Sequence, residues 1–171
     1  MKIRKFALIL LFIVILSGCA IKDSKSKDDQ MQFYYLQRET EYSTENGVIS
    51  SESRQAGSYK DSFILSMYLQ GPTEQNLVSP FPKGVSLISV SKNGTMLELT
   101  LSSEFTSLQG YSLTLAYSCI AHTAASVFGS ESVHIFAEGE DTVIDTIIDK
   151  SMFLLTDDSG IAADSTERQG N

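Results

Sequence analysis

FPKGVSLISVSKNGTMLELTLSSEF, residues 81–105, is the stretch from which the fold can be read. Two β-rich runs, VSLISVS (85–91) and TMLELTLS (95–102), flank Lys92-Asn93-Gly94. Asn-Gly between such runs is the strongest short-range hairpin signal. In the second run Leu97, Leu99 and Leu101 share one face and Glu98 and Thr100 the other, the alternation of a half-buried strand. SPFPKG (79–84) leads into the hairpin as a loop.

Working outward, YKDSFILSMYLQ (59–70) lacks Gly and Pro and predicts a helix that stops at Gly71-Pro72. Before it, QFYYLQR (32–38) is aromatic and strand-like, and VISSESR (48–54) follows the Asn46-Gly47 turn signal as a weaker strand. After the hairpin, Leu113, Ala116, Tyr117, Ile120, Ala124 and Val127 recur at helical spacing, so Tyr111 to Phe128 reads as a helix ended by Gly129. SVHIFAE (132–138) closes the series as a strand with Val133 and Ile135 on one face. The order β-β-α-β-β-α-β predicts an α+β fold, a small mixed sheet with two helices packed on one face.

Two features do not fit so simply. Phe63, Ile64, Leu65, Met67, Tyr68 and Leu69 occupy more than half the circumference of the first helix, where a helix lying on a sheet needs only a stripe. Either TVIDTIIDKSMFLL (142–155) folds back over the surplus, or Phe63 and Met67 belong to a partner surface. That later segment is itself ambiguous between helix and strand.

The chain opens with Lys2, Arg4 and Lys5, then an apolar run from Phe6 to Leu16 of signal-peptide length. Its end, Leu16-Ser17-Gly18-Cys19, resembles the lipobox of bacterial lipoprotein precursors. That resemblance implies cleavage before Cys19, a thioether diacylglycerol on its sulfur and an acyl group such as palmitate on the new amino terminus. Two fatty chains hold a protein stably on a bilayer. The expected organisation is a leader over 1–18, a flexible tether over 19–30, a domain over 31–140, an extension packing on it over 141–155, and a disordered acidic tail over 156–171.

The leader holds three of the thirteen basic residues and none of the twenty-one acidic ones, so its removal takes the net charge from −8 to −11 over 153 residues. A chain so acidic is a poor ligand for nucleic acid. With Cys19 lipidated, Cys119 has no intrachain partner, and the fold must stand without a disulfide.

Taken together, the helix ending LQGP, the hairpin stretch quoted above, the alanine-bearing second helix and VHIFAEGE resemble the GerMN domain, an extracytoplasmic module of sporulation and spore germination lipoproteins. The residues that carry the resemblance are Gly71 and Pro72, Pro82 and Gly84, Asn93 and Gly94, Phe105 and Gly139. Many members carry an aspartate in the second hairpin strand, where this chain has Glu98 and Thr100, and some carry two copies of the domain, where this chain has one. The resemblance implies a compact α/β domain on the extracytoplasmic face of the cell membrane. It implies non-enzymatic work in assembling an envelope complex in sporulation or germination. The partners would be the membrane, through covalent lipid, and envelope proteins, further copies of the chain included. An alternative is a ligand- or signal-sensing lipoprotein serving a membrane kinase or transporter, which a deep apolar pocket would favour.

Chemistry-bearing residues are sparse. His122 lies on the side of the second helix opposite the apolar stripe and is expected to face solvent; His134 alternates with Val133 and Ile135 and is expected on the outer face of its strand. Two isolated histidines and Cys119 do not supply the three or four ligands of a zinc site, and no cofactor is expected. Ser118 lacks a Gly-x-Ser-x-Gly elbow, and Cys119 is expected to be half-buried with no basic neighbour. Glu138, Glu140 and Asp141 lack calcium-loop spacing and read as a solvated turn.

Overall fold

The computed structural model describes residues 30–38 and 47–153. The leader, Leu16, Ser17, Gly18, Cys19, the tether as far as residue 29, Asn46 and the tail lie outside the described residues.

The elements run β1 (Gln30–Gln37), β2 (Ile49–Gln55), α1 (Asp61–Leu69), β3 (Leu77–Val78), β4 (Leu87–Asn93), β5 (Met96–Leu101), a 3₁₀ turn (Ser103–Ser107), α2 (Gly110–Phe128), β6 (Ser132–Glu138), β7 (Val143–Asp149) and a second 3₁₀ turn (Lys150–Met152). The fold is α+β, and the predicted order of elements is present. The strands, however, divide between two sheets, ordered β2-β1-β3 and β4-β5-β6-β7. β3 and β7 are additional to the predicted strands.

The second sheet is built from the hairpin outward. β4 and β5 pair antiparallel through a two-residue turn in which Gly94 takes a φ of 62°. β5 then pairs parallel with β6, with α2 as the crossover a parallel pair requires. Leu97, Leu99 and Leu101 meet Val133, Ile135 and Ala137 in register, and all six are buried. β7 adds antiparallel to β6 and brings Ile144 and Ile148 to the same inner face.

Residues 143–149 thus fold back as a strand on β6 rather than as a cover for α1, and Phe63 keeps half its surface exposed. Val143-Ile-Asp-Thr-Ile-Ile satisfies a helical period as well as a strand period. Its β-branched residues and the open edge of β6 decide for the strand.

α2 touches both sheets, lying beside β1 and against β6 and β7. On the edge of β1 that pairs with β3, the Tyr34 amide donates to the Thr123 hydroxyl at 2.9 Å. The carbonyl of the same residue accepts from the Tyr68 hydroxyl at 3.0 Å. Side chains from both helices therefore complete an edge that β3 covers only at Leu36 and Gln37. This two-sided packing corrects two expectations. Cys119 is fully buried, not half-buried. His122 is half-buried, not solvent-facing, because Tyr34 and the chain at Phe153 flank it.

Two isoleucines on opposite faces of the second sheet test this layering. Ile135→Ala, at a side chain with 0% exposure, should cost about 3 kcal/mol in denaturant unfolding, whereas Ile147→Ala, at 57% exposure, should stay within about 0.5 kcal/mol.

Candidate functional site

The densest polar cluster stands on β2. Its inward parity places Glu52 opposite Phe33 and Arg54 opposite Met31, two opposite charges on an otherwise apolar face. Glu52 is 1% exposed and Arg54 16%. One carboxylate oxygen pairs with the Arg54 guanidinium. The other accepts from the Thr73 amide at 2.8 Å, the Thr73 hydroxyl at 3.1 Å and the Glu74 amide at 3.0 Å.

Arg54 donates onward to the Gly71 carbonyl at 2.8 Å and to the Tyr35 hydroxyl at 2.9 Å, and lies 4.7 Å from the centre of the Phe33 ring. Tyr35 in turn donates to the Tyr68 carbonyl at 3.0 Å. The pair thereby satisfies backbone groups at and beyond the C-terminal end of α1, which the helix itself leaves without partners. Gly71 has a φ of 102°, a conformation closed to residues with a Cβ, and this turns its carbonyl toward Arg54.

Burial alone would raise the Glu52 carboxyl. The Glu74 amide, the Arg54 guanidinium and the Thr73 amide outweigh it and hold the group below the ordinary glutamate range. Burial pushes the Tyr35 and Tyr68 phenols up, so both remain neutral donors. Every member is engaged inside the fold, and the cluster's chemistry is that of a clamp.

Sequence reading passed over this cluster. The available signal was the shared parity of Glu52 and Arg54 in a strand paired with aromatic residues.

The residues named from sequence fall elsewhere. Gly71 and Pro72 form the turn after α1, ahead of the amides of Thr73 and Glu74 that Glu52 binds. Pro82 and Gly84 lie in the approach to β4, where the Val85 amide donates to the Pro82 carbonyl at 3.3 Å. Asn93 ends β4 and Gly94 begins the hairpin turn. Phe105 is fully buried in the first 3₁₀ turn, 6.4 Å from the Tyr117 ring. Gly139 follows β6, its amide donating to the Thr142 carbonyl at 2.9 Å. Phe63 and Met67 lie one helical turn apart, the first half-exposed and the second half-buried.

The titratable residues do not converge. His122 contacts the Phe153 carbonyl at 3.1 Å and the Tyr34 ring at 5.3 Å; burial, with Lys150 nearby, lowers its pKa against the raising effect of the Phe153 carbonyl. His134 lies on the outer face of β6, its Nε2 2.7 Å from an Asp145 carboxylate oxygen. Burial drives the Cys119 thiol well up, which keeps it unreactive. Ser118 is buried in α2. Glu140 and Asp141 line an open cleft with Ser103, Glu104, Thr106, Gly139 and Thr142. Three of these residues, Glu104, Glu140 and Asp141, are acidic. Among the described residues no group of three or more His, Cys, Asp or Glu is placed to hold a metal ion. No helix among them is long and apolar enough to cross a membrane.

Comparison with known proteins adds a family. The profile described as Germane, sporulation and spore germination, matches residues 32–143. Among solved structures, the first GerMN domain of the sporulation protein GerM from Bacillus subtilis is similar at a TM-score of 0.49 and 13% identity, over 66% of this chain and 85% of that one. The tandem GerMN domains of that protein give the same score and identity over 66% of this chain and 40% of theirs. A candidate lipoprotein from Clostridium perfringens gives 0.41 and 16%, over 75% of this chain and 93% of that one. No curated protein sequence matches.

The fold carries a pH signature. Both Glu52 and His122 have depressed folded-state values, so the unfolded chain binds protons more readily and stability falls as pH falls. Thermal unfolding should therefore begin to weaken below the ordinary histidine value of 6.5. It should weaken further below the ordinary glutamate value of 4.5. His122→Gln should remove the first step. Glu52→Ala, which strands Arg54, should cost about 3–5 kcal/mol at neutral pH and flatten the second.

Proposed function

Because the chain belongs to the Germane family of sporulation and spore germination domains, we propose that it is a lipid-anchored extracytoplasmic module that helps assemble an envelope complex in sporulation or germination, without catalysis. The observation that carries this reading is the family match across residues 32–143.

The lipobox Leu16-Ser17-Gly18-Cys19 supports the anchor and the extracytoplasmic face. A non-catalytic role is supported by how the reactive groups are used: His122 is wedged against Tyr34, Cys119 is sealed in the core, and the Glu52–Arg54 pair is spent on backbone groups. Anchoring confines the domain to two dimensions, which raises the effective concentration of partners and lets weak contacts suffice.

The two sheet edges are unequal as partner surfaces. β4 is irregular, with a register shift between Leu87 and Ser89 that leaves Ile88 unpaired, and such a bulge blunts an edge. β7 keeps regular register from Asp149 to Val143, and no described strand pairs with its outer edge. β7 is therefore the edge offered to another envelope protein or to a second copy.

The test is fractionation together with crosslinking in cells. Wild type should partition with membranes and carry lipid on Cys19, and Cys19→Ala should move to the soluble pool. A photocrosslinker at Ile147 should capture envelope-complex components in wild type and lose them in Cys19→Ala. Membrane retention of an unlipidated Cys19→Ala protein would defeat the anchor, and capture of a single sensor kinase or transporter at Ile147 would favour the sensing role.

A further inference from the structure

We propose that the aromatic pair Tyr59 and Phe63 is a membrane-contact site that seats the domain on the phospholipid interface at the end from which its tether leaves. This rests on the lipid anchor proposed above.

The two rings lie 5.2 Å apart, centre to centre, with 54% of Tyr59 and 50% of Phe63 exposed. Together the two rings form an exposed aromatic patch. The pair is also held in place. The Tyr59 ring lies over Gly57 so closely that a Cβ there would come within 2.5 Å of it, and the Tyr59 amide donates to the Gly57 carbonyl at 2.8 Å. The Phe63 amide donates to the Lys60 carbonyl at 2.9 Å at the start of α1.

Topology says what can reach these rings. Gln30, where the described chain begins, pairs with Gln55, and Tyr59 follows only four residues later. Tyr59 is therefore within about 20 Å of Gln30, where the tether arrives. Ten residues lie between Cys19 and Gln30, eleven steps along the chain and a reach of no more than about 40 Å. A tether of that reach lets this end of the domain meet the bilayer.

Charge points the same way. Among the described residues before Leu77 the acids are Glu52, buried in its clamp, Asp61, which stands beside Lys60, and Glu74. In the sequence before Gln30, Asp23, Asp28 and Asp29 are offset by Lys22, Lys25 and Lys27. Glu98, Glu104, Glu131, Glu138, Glu140, Asp141, Asp145 and Asp149 all belong to the four-stranded sheet and its connections. An acidic domain meets an anionic surface with least repulsion through its least acidic end. Tyrosine beside an apolar ring also matches the composition of interfacial belts, with the ring body among acyl chains and the hydroxyl at the headgroups.

The chain contains no tryptophan, so one introduced indole reports alone. The full-length protein, lipidated in cells, would be prepared as Phe63→Trp, Tyr59→Trp and, on the outer face of β7, Ile147→Trp. Each would be reconstituted in phosphatidylethanolamine–phosphatidylglycerol vesicles with and without brominated acyl chains. The expected result is emission at shorter wavelength with bromolipid quenching at positions 63 and 59, and solvent-like emission without quenching at 147. Protein that floats with the vesicles while positions 63 and 59 stay solvent-like overturns the contact and leaves the anchor standing. Shorter-wavelength emission without quenching also overturns it, since the covering surface is then protein. Equal quenching at all three positions overturns it by removing the orientation. Protein that fails to float overturns the anchor and this proposal with it.

Discussion

Glu52 and Arg54 stand two residues apart on the strand face that also packs against Phe33 and Tyr35. A carboxylate in such surroundings is expensive unless every lone pair is used, since desolvation costs several kilocalories per mole before any partner is counted. Here it is used: the guanidinium takes one oxygen, and two amides and a hydroxyl take the other. What the pair secures is position. Through Gly71, Thr73 and Glu74 it fixes the end of α1 and the chain that leads to β3, and through Tyr35 it reaches the Tyr68 carbonyl. An apolar pair of equal volume would fill the space and take these partners from the Gly71 carbonyl and the Thr73 and Glu74 amides.

The second constraint follows from the first. Once α1 is fixed, Tyr68 can send its hydroxyl to the Tyr34 carbonyl, while Thr123 on α2 takes the amide of the same residue. The open edge of β1 is thereby closed by two helices instead of a longer strand. α2 also serves as the crossover between β5 and β6, so it holds the two sheets in one core. This is why Thr123 and Ser118, polar residues in a helix, are buried.

A domain organised in this way keeps its polar chemistry inside and offers shape and edges outside. The regular edge of β7 and the aromatic pair at the start of α1 lie on different elements, which suits a module held at a membrane by one surface and joined to a protein by another. Among the described residues most of the acids belong to the four-stranded sheet and its connections.

Local pattern determined much of this protein. The alternation of Leu97, Leu99 and Leu101, the Asn93-Gly94 turn, the helical spacing from Leu113 to Val127 and the Gly71-Pro72 stop are short-range effects of strand and helix geometry, and each element stands where those signals place it. Pairing partners were beyond such reading. Whether two hairpins join into one sheet, whether Val143 to Asp149 coils or extends, and whether His122 meets water or Tyr34 depend on contacts between residues far apart in the chain. The clamp is the clearest case. In sequence Glu52 and Arg54 are ordinary charges in a weak strand, and only the packing of that strand against β1 and α1 turns them inward, because burial belongs to the assembled core and to no single segment.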